Sequence, residues 1–284
     1  MSLHYYDRFY IIGDNFLTPR PGYSFYDTVA SRYNFKINKY NLLPENEWQC
    51  DIQHMRSLID KNTKAILVNN PSNPCGSVLR EDNLNAILKV AEDFSIPIIS
   101  DEVYGEMVYD SNGKRKFYSM AALSQKVPIL TVGGLSKQYL VPGWRVGWIV
   151  IHDPIGAMIK VRTALQKLST VLLGPNTLIQ ASIPSILFET PDSWYSELND
   201  KLLRQSTLLY DQFDEIDALR PIRGRGALYL MVKIELGKLK GIKNDIDFAN
   251  KLVREQAILV LPGTIFEPRL YSMASYSIFW VQFF

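Results

Sequence analysis

Short apolar runs that end in turn residues alternate along this chain with longer segments of helical period. FKINKYNL, KAILVNNP, PIISDEVY, PILTVGG and RVGWIVI are strand candidates. Between them, REDNLNAILKVAEDF places Leu84, Ile87, Leu88 and Ala91 on one helical face. IQHMRSLIDKN reads as a shorter helix with Ile52, Met55, Leu58 and Ile59 turned inward. Strands and helices in alternation predict an α/β fold, a large domain with a mostly parallel mixed sheet flanked by helices.

The texture changes near residue 190. SWYSELNDKLLRQSTLLYDQFDEI reads as a long amphipathic helix opened by a serine cap, with mixed charges on its outer face. GALYLMVKIEL then predicts a strand, DIDFANKLVREQ a helix and ILVLPGTIF another strand. We therefore expect a large domain over residues 1–190 and a smaller, incomplete α+β domain over 191–284. The final YSMASYSIFWVQFF is apolar and aromatic, with no charge after Arg269. Such a tail is an aggregation liability unless something covers it, and it reads as an altered or incomplete terminus.

Composition narrows the function classes. With 284 residues, 47% of them apolar, the chain can bury a sizeable core. A net charge of +2 leaves no electrostatic footprint for nucleic acid or an anionic membrane. Cys50 and Cys75 make no disulfide framework, and the scattered His4, His54 and His152 offer no metal spacing. No apolar run reaches the ~18 residues of a membrane span, and MSLHYYDRFYIIGDNF lacks the features of a signal peptide. A cytoplasmic location is expected.

Three polar clusters fall where apolar strands end, the place where open α/β sheets bind ligands. In NNPSNPCG, residues 69–76, Pro71 and Pro74 stiffen a loop that can aim Asn73; a plain Asn-Pro turn is the bland alternative. In SDEVY, Asp101 is costly at a strand end unless it meets a cation or a strong donor, and Tyr104 can share its crevice. An ordinary helix cap would also explain Asp101. In GGLSKQYLVPGWRVGW, Lys137 follows the PILTV strand and Arg145 begins the next. A lysine held out of water near another cation loses its proton readily and attacks carbonyls, whereas Arg145 offers a fork suited to phosphate or carboxylate. A solvated loop lysine is the alternative. An aldehyde cofactor carrying a phosphate and a ring nitrogen, pyridoxal 5'-phosphate, would use all of these groups together.

NNPSNPCGSV, SDEVYGEMVY and GGLSKQYLVPGWRVGWI resemble the fold-type I pyridoxal-phosphate aminotransferases, and within them the tyrosine aminotransferase branch. The similarity runs from about Asp14 to about Glu267 and includes RPGYSFYDT, NLLPENEW and GALYLMV. The resemblance implies that Lys137 carries the cofactor as a Schiff base and moves the substrate's α-proton. It implies that Asp101 pairs with the ring nitrogen, Tyr104 and Asn73 bond the phenolic oxygen, Arg145 holds the phosphate and Tyr23 stacks on the ring, with Phe25 the other choice for stacking. The implied reaction is transfer of an amino group from an aromatic amino acid, tyrosine, to 2-oxoglutarate, in a homodimer.

The chain departs from that pattern in three ways. It begins too late to include the family's glycine-serine phosphate loop and the N-terminal segment that reaches the partner subunit. Gly134 stands where some relatives carry a phosphate-binding serine. After FE, the register that holds the family's carboxylate-binding arginine falls on Met273, with Arg269 close but displaced. The expectation is a chain truncated at both ends, with weak or no transaminase activity and compromised dimerisation. An inactive fold, or lyase or synthase chemistry on the same cofactor, are the competing readings.

Overall fold

The computed structural model describes residues 13–109, 116–266 and 276–282. The first half of the chain runs β1 (Asn15–Arg20), α1 (Phe25–Tyr33), β2 (Lys36–Leu43), β3 (Gln49–Cys50), α2 (Ile52–Ser57) and β4 (Thr63–Asn69). It continues through α3 (Glu81–Phe94), β5 (Ile98–Asp101), α4 (Met120–Leu123), β6 (Ile129–Gly134) and β7 (Gly147–His152). Then come α5 (Ile159–Ser169), α6 (Thr177–Glu189), α7 (Asp192–Asp214), β8 (Leu219–Ile222), β9 (Tyr229–Glu235), α8 (Asp245–Gln256), β10 (Leu261–Pro262) and β11 (Tyr276–Gln282).

Seven strands form one sheet in the order β3-β2-β1-β4-β5-β6-β7. The five central strands are parallel, and the edge strands β3 and β7 run antiparallel to their neighbours. Parallel strands need cover on both faces, and β4 and β5 are accordingly apolar runs, whereas β1 and β2 carry polar positions. Ile66, Val68, Ile98 and Ile129 lie in the core with Leu84, Ile87, Leu88 and Ala91 of α3, the face its spacing predicts. Ile52, Leu58 and Ile59 pack against the same core around the buried Met55. Helix α3 closes on Ser95 in the left-handed region, whose N–H returns to the Ala91 carbonyl.

A second, antiparallel sheet has the order β10-β11-β9-β8. Helix α7 lies against it, burying Leu198, Leu202 and Ser206 at four-residue spacing.

Several expectations change. The serine cap of the long helix is not formed: Pro191 occupies the cap position, and no side chain bonds the first turn. A proline needs no N–H partner there, and its fixed φ suits the entry. ILVLPGTIF yields only the short β10 before a 3-10 turn over Gly263–Phe266. Strand β1 escapes the apolar signature because Asn15 and Thr18 are buried within it. Asn15 is satisfied by bonds to Asp60 and Thr63. The aromatic tail is partly covered: β11 pairs along β9, and Ile278 and Phe279 are buried, Phe279 against Phe213 and Phe248. By contrast, α5 and α6 bury no residue, and nearby Leu173 and Phe188 are 85% and 86% exposed.

The two sheets meet at Gly76. Its carbonyl accepts from the N–H groups of Arg225 (2.7 Å) and Gly226 (3.0 Å), and its own φ is +63°. A methyl group there would run into the Tyr229 carbonyl as well as carry the left-handed penalty. Gly76→Ala is expected to cost about 2–4 kcal/mol, read as a lower urea midpoint with an unchanged slope; a midpoint equal to wild type refutes the close approach.

Candidate active site

Four neighbouring parallel strands deliver the candidate residues at their carboxyl ends. Asp101 ends β5, and Tyr104 follows it on a turn. Asn73 lies four residues past β4, Lys137 three past β6 and Tyr23 three past β1. The order β1-β4-β5-β6 makes these ends adjacent, so residues far apart in sequence share one edge of the sheet.

The loop after β4 is tied down by its own polar residues. Asn69 donates to the Asp101 carbonyl (3.2 Å) and accepts from the Asn73 N–H (2.7 Å), while the Asn70 N–H reaches the same Asp101 carbonyl (3.1 Å). Asn73 Nδ2 then donates to the Tyr229 hydroxyl at 3.5 Å, and its Oδ1 is buried without a partner. A buried acceptor left open costs stability unless a ligand or water uses it.

Asp101 is partly buried and accepts from the Tyr26 hydroxyl at 2.7 Å and from the Val103 N–H at 3.4 Å. Removal from water raises its pKa, and these hydrogen bonds only partly oppose the rise. Tyr104 is buried, its hydroxyl 2.5 Å from that of Tyr229. Burial, the Tyr229 hydroxyl and the Asp101 charge push the Tyr104 phenol far above its ordinary range. Lys137 Nζ stands 5.6 Å from the centre of the Tyr104 ring. It is half-buried, and desolvation lowers its pKa. No carboxylate pairs with it among the described residues. The shift runs in the direction of the free base, the nucleophilic form.

Tyr23 is 40% exposed and packs edge-on against Tyr26 (5.6 Å between ring centres) and obliquely on Phe25 (5.9 Å). Arg145 is not brought into this network: it is exposed, has a φ of +53°, and donates to the Pro142 carbonyl at 3.0 Å. Arg269 and Met273 lie outside the described residues. Two participants were not anticipated. Tyr26 lies one helical turn beyond Tyr23, a spacing that could have suggested it. Tyr229 is the one hydroxyl in the apolar run ALYLMV, at the start of β9.

Helix α7 braces the loops from outside. Trp194 Nε1 donates to the Gln138 carbonyl (3.0 Å), and the Tyr195 hydroxyl donates to that of Tyr139 (2.7 Å). Asn199 Nδ2 donates to the Glu106 carbonyl (2.8 Å), on the Tyr104 turn.

An amine without an ion pair, a carboxylate held by a phenol rather than by a cation, and donors around an open acceptor fit a pyridine aldehyde better than a metal. No cluster of metal-ligating side chains occurs among the described residues, and none of their helices is long and apolar enough to cross a membrane. The family model for Aminotransferase class I and II matches residues 8–271, and the chain belongs to that family. It is 45% identical over 256 residues to tyrosine aminotransferase of Mus musculus, covering 90% of this chain and 56% of the mouse protein. Among solved structures, alanine aminotransferase from Pyrococcus furiosus matches with a TM-score of 0.86 at 32% identity, over 95% of this chain and 65% of that one. Tyrosine aminotransferase from Leishmania infantum matches with the same TM-score at 30% identity, over 94% and 64%. The chain thus spans little more than half the length of the mouse relative. The mostly parallel, helix-flanked sheet is the fold-type I arrangement of these neighbours.

Because the fold raises the Asp101 pKa, its stabilising contribution is fully present below the ordinary carboxylate value of about 3.9 and is lost as pH rises through the folded value. Asp101→Asn is neutral throughout. As pH rises from about 4, the thermal midpoint of the wild type is expected to fall more than that of Asp101→Asn. Superimposable midpoint profiles would show that Asp101 titrates normally.

Proposed function

We propose that this chain carries the cofactor site of a pyridoxal 5'-phosphate-dependent transaminase acting on an aromatic amino acid, tyrosine, with 2-oxoglutarate as acceptor. The observation that carries the reading is Lys137: a desolvated amine without an ion-pair partner, placed over Tyr104 at the strand ends that also present Asp101 and Asn73. When bound, the cofactor supplies an electron-withdrawing ring that stabilises negative charge on a substrate carbon. Lys137 would hold the cofactor through Nζ, and as a free amine the same nitrogen would be the base that accepts the substrate's α-proton. Asp101, oriented by the Tyr26 hydroxyl, would pair with the ring nitrogen and keep it protonated. Asn73 and Tyr104 would donate to the phenolic oxygen, Tyr23 would stack on the ring, and Arg145 would hold the phosphate.

In this reading residues 1–190 form the large cofactor-binding part and 191–284 a small C-terminal part. The substrates are small amino acids and 2-oxo acids, and the setting is amino acid catabolism. The identity to tyrosine aminotransferases supports the aromatic donor. Free, buried Cys50 and Cys75 suit a reducing cytoplasm. The uncovered apolar residues near α5 and α6 are consistent with a homodimer.

Borohydride reduction in the presence of pyridoxal phosphate is expected to fix the cofactor on Lys137, located by peptide mass. Lys137→Ala should abolish the fixed adduct and any transfer from tyrosine to 2-oxoglutarate, which a loss of at least about 10³-fold would register. An adduct that persists in Lys137→Ala places the covalent bond elsewhere and removes the reading.

A further inference from the structure

Tyr229 has no role in the scheme above, yet it touches both donors of the site. Its hydroxyl lies 2.5 Å from that of Tyr104 and 3.5 Å from Asn73 Nδ2. Tyr104 and Tyr229 are each 3% exposed. Burial raises both phenols above their ordinary pKa, so both keep their protons near neutral pH.

Proton counting then limits the arrangement. A phenol has one proton to donate and lone pairs to accept. The contact between the two oxygens uses one of the pair's protons and leaves the other to point elsewhere. Asn73 Nδ2 is a donor, so it occupies a lone pair on Tyr229 and takes no proton. Neither phenol donates that spare proton to another group among the described residues. A buried donor left open is destabilising, and a ligand oxygen would satisfy it.

Which phenol keeps the spare proton decides what the pair does. If Tyr104 donated to Tyr229, its proton would be withheld from the space beside Lys137. If Tyr229 donates to Tyr104, the Tyr104 proton is released toward that space. The Asn73 bond into the Tyr229 oxygen polarises the Tyr229 O–H and favours the second order, since hydrogen bonds in a chain strengthen one another. The indole of Trp280 packs on the Tyr229 ring, with centres 5.1 Å apart at 33°, and holds the phenol in place.

We propose that Tyr229 is a positioning residue: the relay Asn73 to Tyr229 to Tyr104 frees and strengthens the Tyr104 hydroxyl as a donor to an anionic oxygen beside Lys137. The identity of that oxygen, the cofactor's phenolic oxygen, rests on the reading under Proposed function.

The test follows the absorbance of bound pyridoxal phosphate against pH in the wild type, Tyr104→Phe, Tyr229→Phe and the double variant. A donor to the phenolic oxygen stabilises its negative charge, loosens its hold on the neighbouring linkage proton and lowers the midpoint. Tyr104→Phe is expected to raise the midpoint. Tyr229→Phe should raise it by less, about half a pH unit, and should add nothing on the Tyr104→Phe background. An unmoved midpoint in Tyr229→Phe, or a shift that persists in full without the Tyr104 hydroxyl, overturns the relay. In the cofactor-free chain, the short bond between hydroxyls is expected to give a downfield proton resonance that disappears in either single variant. Its survival in Tyr229→Phe also overturns the proposal. A wild-type chain that takes up no cofactor on Lys137 instead defeats the cofactor reading, and the resonance still judges the tyrosine pair.

Discussion

The site depends on keeping one ammonium group away from carboxylates. Lysines elsewhere in this chain find acidic partners readily: Lys39 with Asp27, Lys89 with Asp93, Lys238 with Asp217 and Glu235. An ion pair stabilises the charged amine and removes its lone pair from chemistry. Lys137 makes no such pair among the described residues, and the Asp101 carboxylate accepts from a phenol rather than from a cation. Tyr26 thus satisfies Asp101 without neutralising it, and the lysine is left to desolvation alone.

That separation is inexpensive only because the frame around it is stiff. The carboxyl ends of β4, β5 and β6 cannot drift apart, since each strand is hydrogen-bonded to the next in register. Side chains add further ties. Glu102, next to Asp101, accepts from Ser100 (2.7 Å) and from the Met120 N–H at the start of α4 (2.9 Å). Burial raises its pKa, as it does for Asp101. The chain bears the cost of several polar groups it does not fully satisfy, Asn73 Oδ1 among them, in exchange for a cavity edge set up for a ligand's polar atoms.

Much of this was legible in the sequence, and the reason is physical. Strands of a parallel sheet are buried on both faces, so β4, β5 and β6 announce themselves as apolar runs. The residues just beyond them are where polar groups become conspicuous. Asn73, Asp101, Tyr104 and Lys137 could therefore be picked out by position. β1 was silent because polar residues are buried in it, Asn15 through bonds to Asp60 and Thr63, long-range partners that no local pattern displays. Tyr229 was hidden for a similar reason: a strand tyrosine looks like packing until another phenol is found 2.5 Å away, 125 positions distant in sequence. The placement of Arg145 was inferred from its neighbours, but a left-handed backbone at that residue sends its side chain back to Pro142.

Helix α7 adds a mechanical corollary. One end is fastened to the Lys137 loop through Gln138 and Tyr139 and to the Tyr104 turn through Glu106. The rest lies along β8 and β9. A rod so anchored is a strut: it ties the position of the antiparallel sheet to the loops that carry the amine and the phenol.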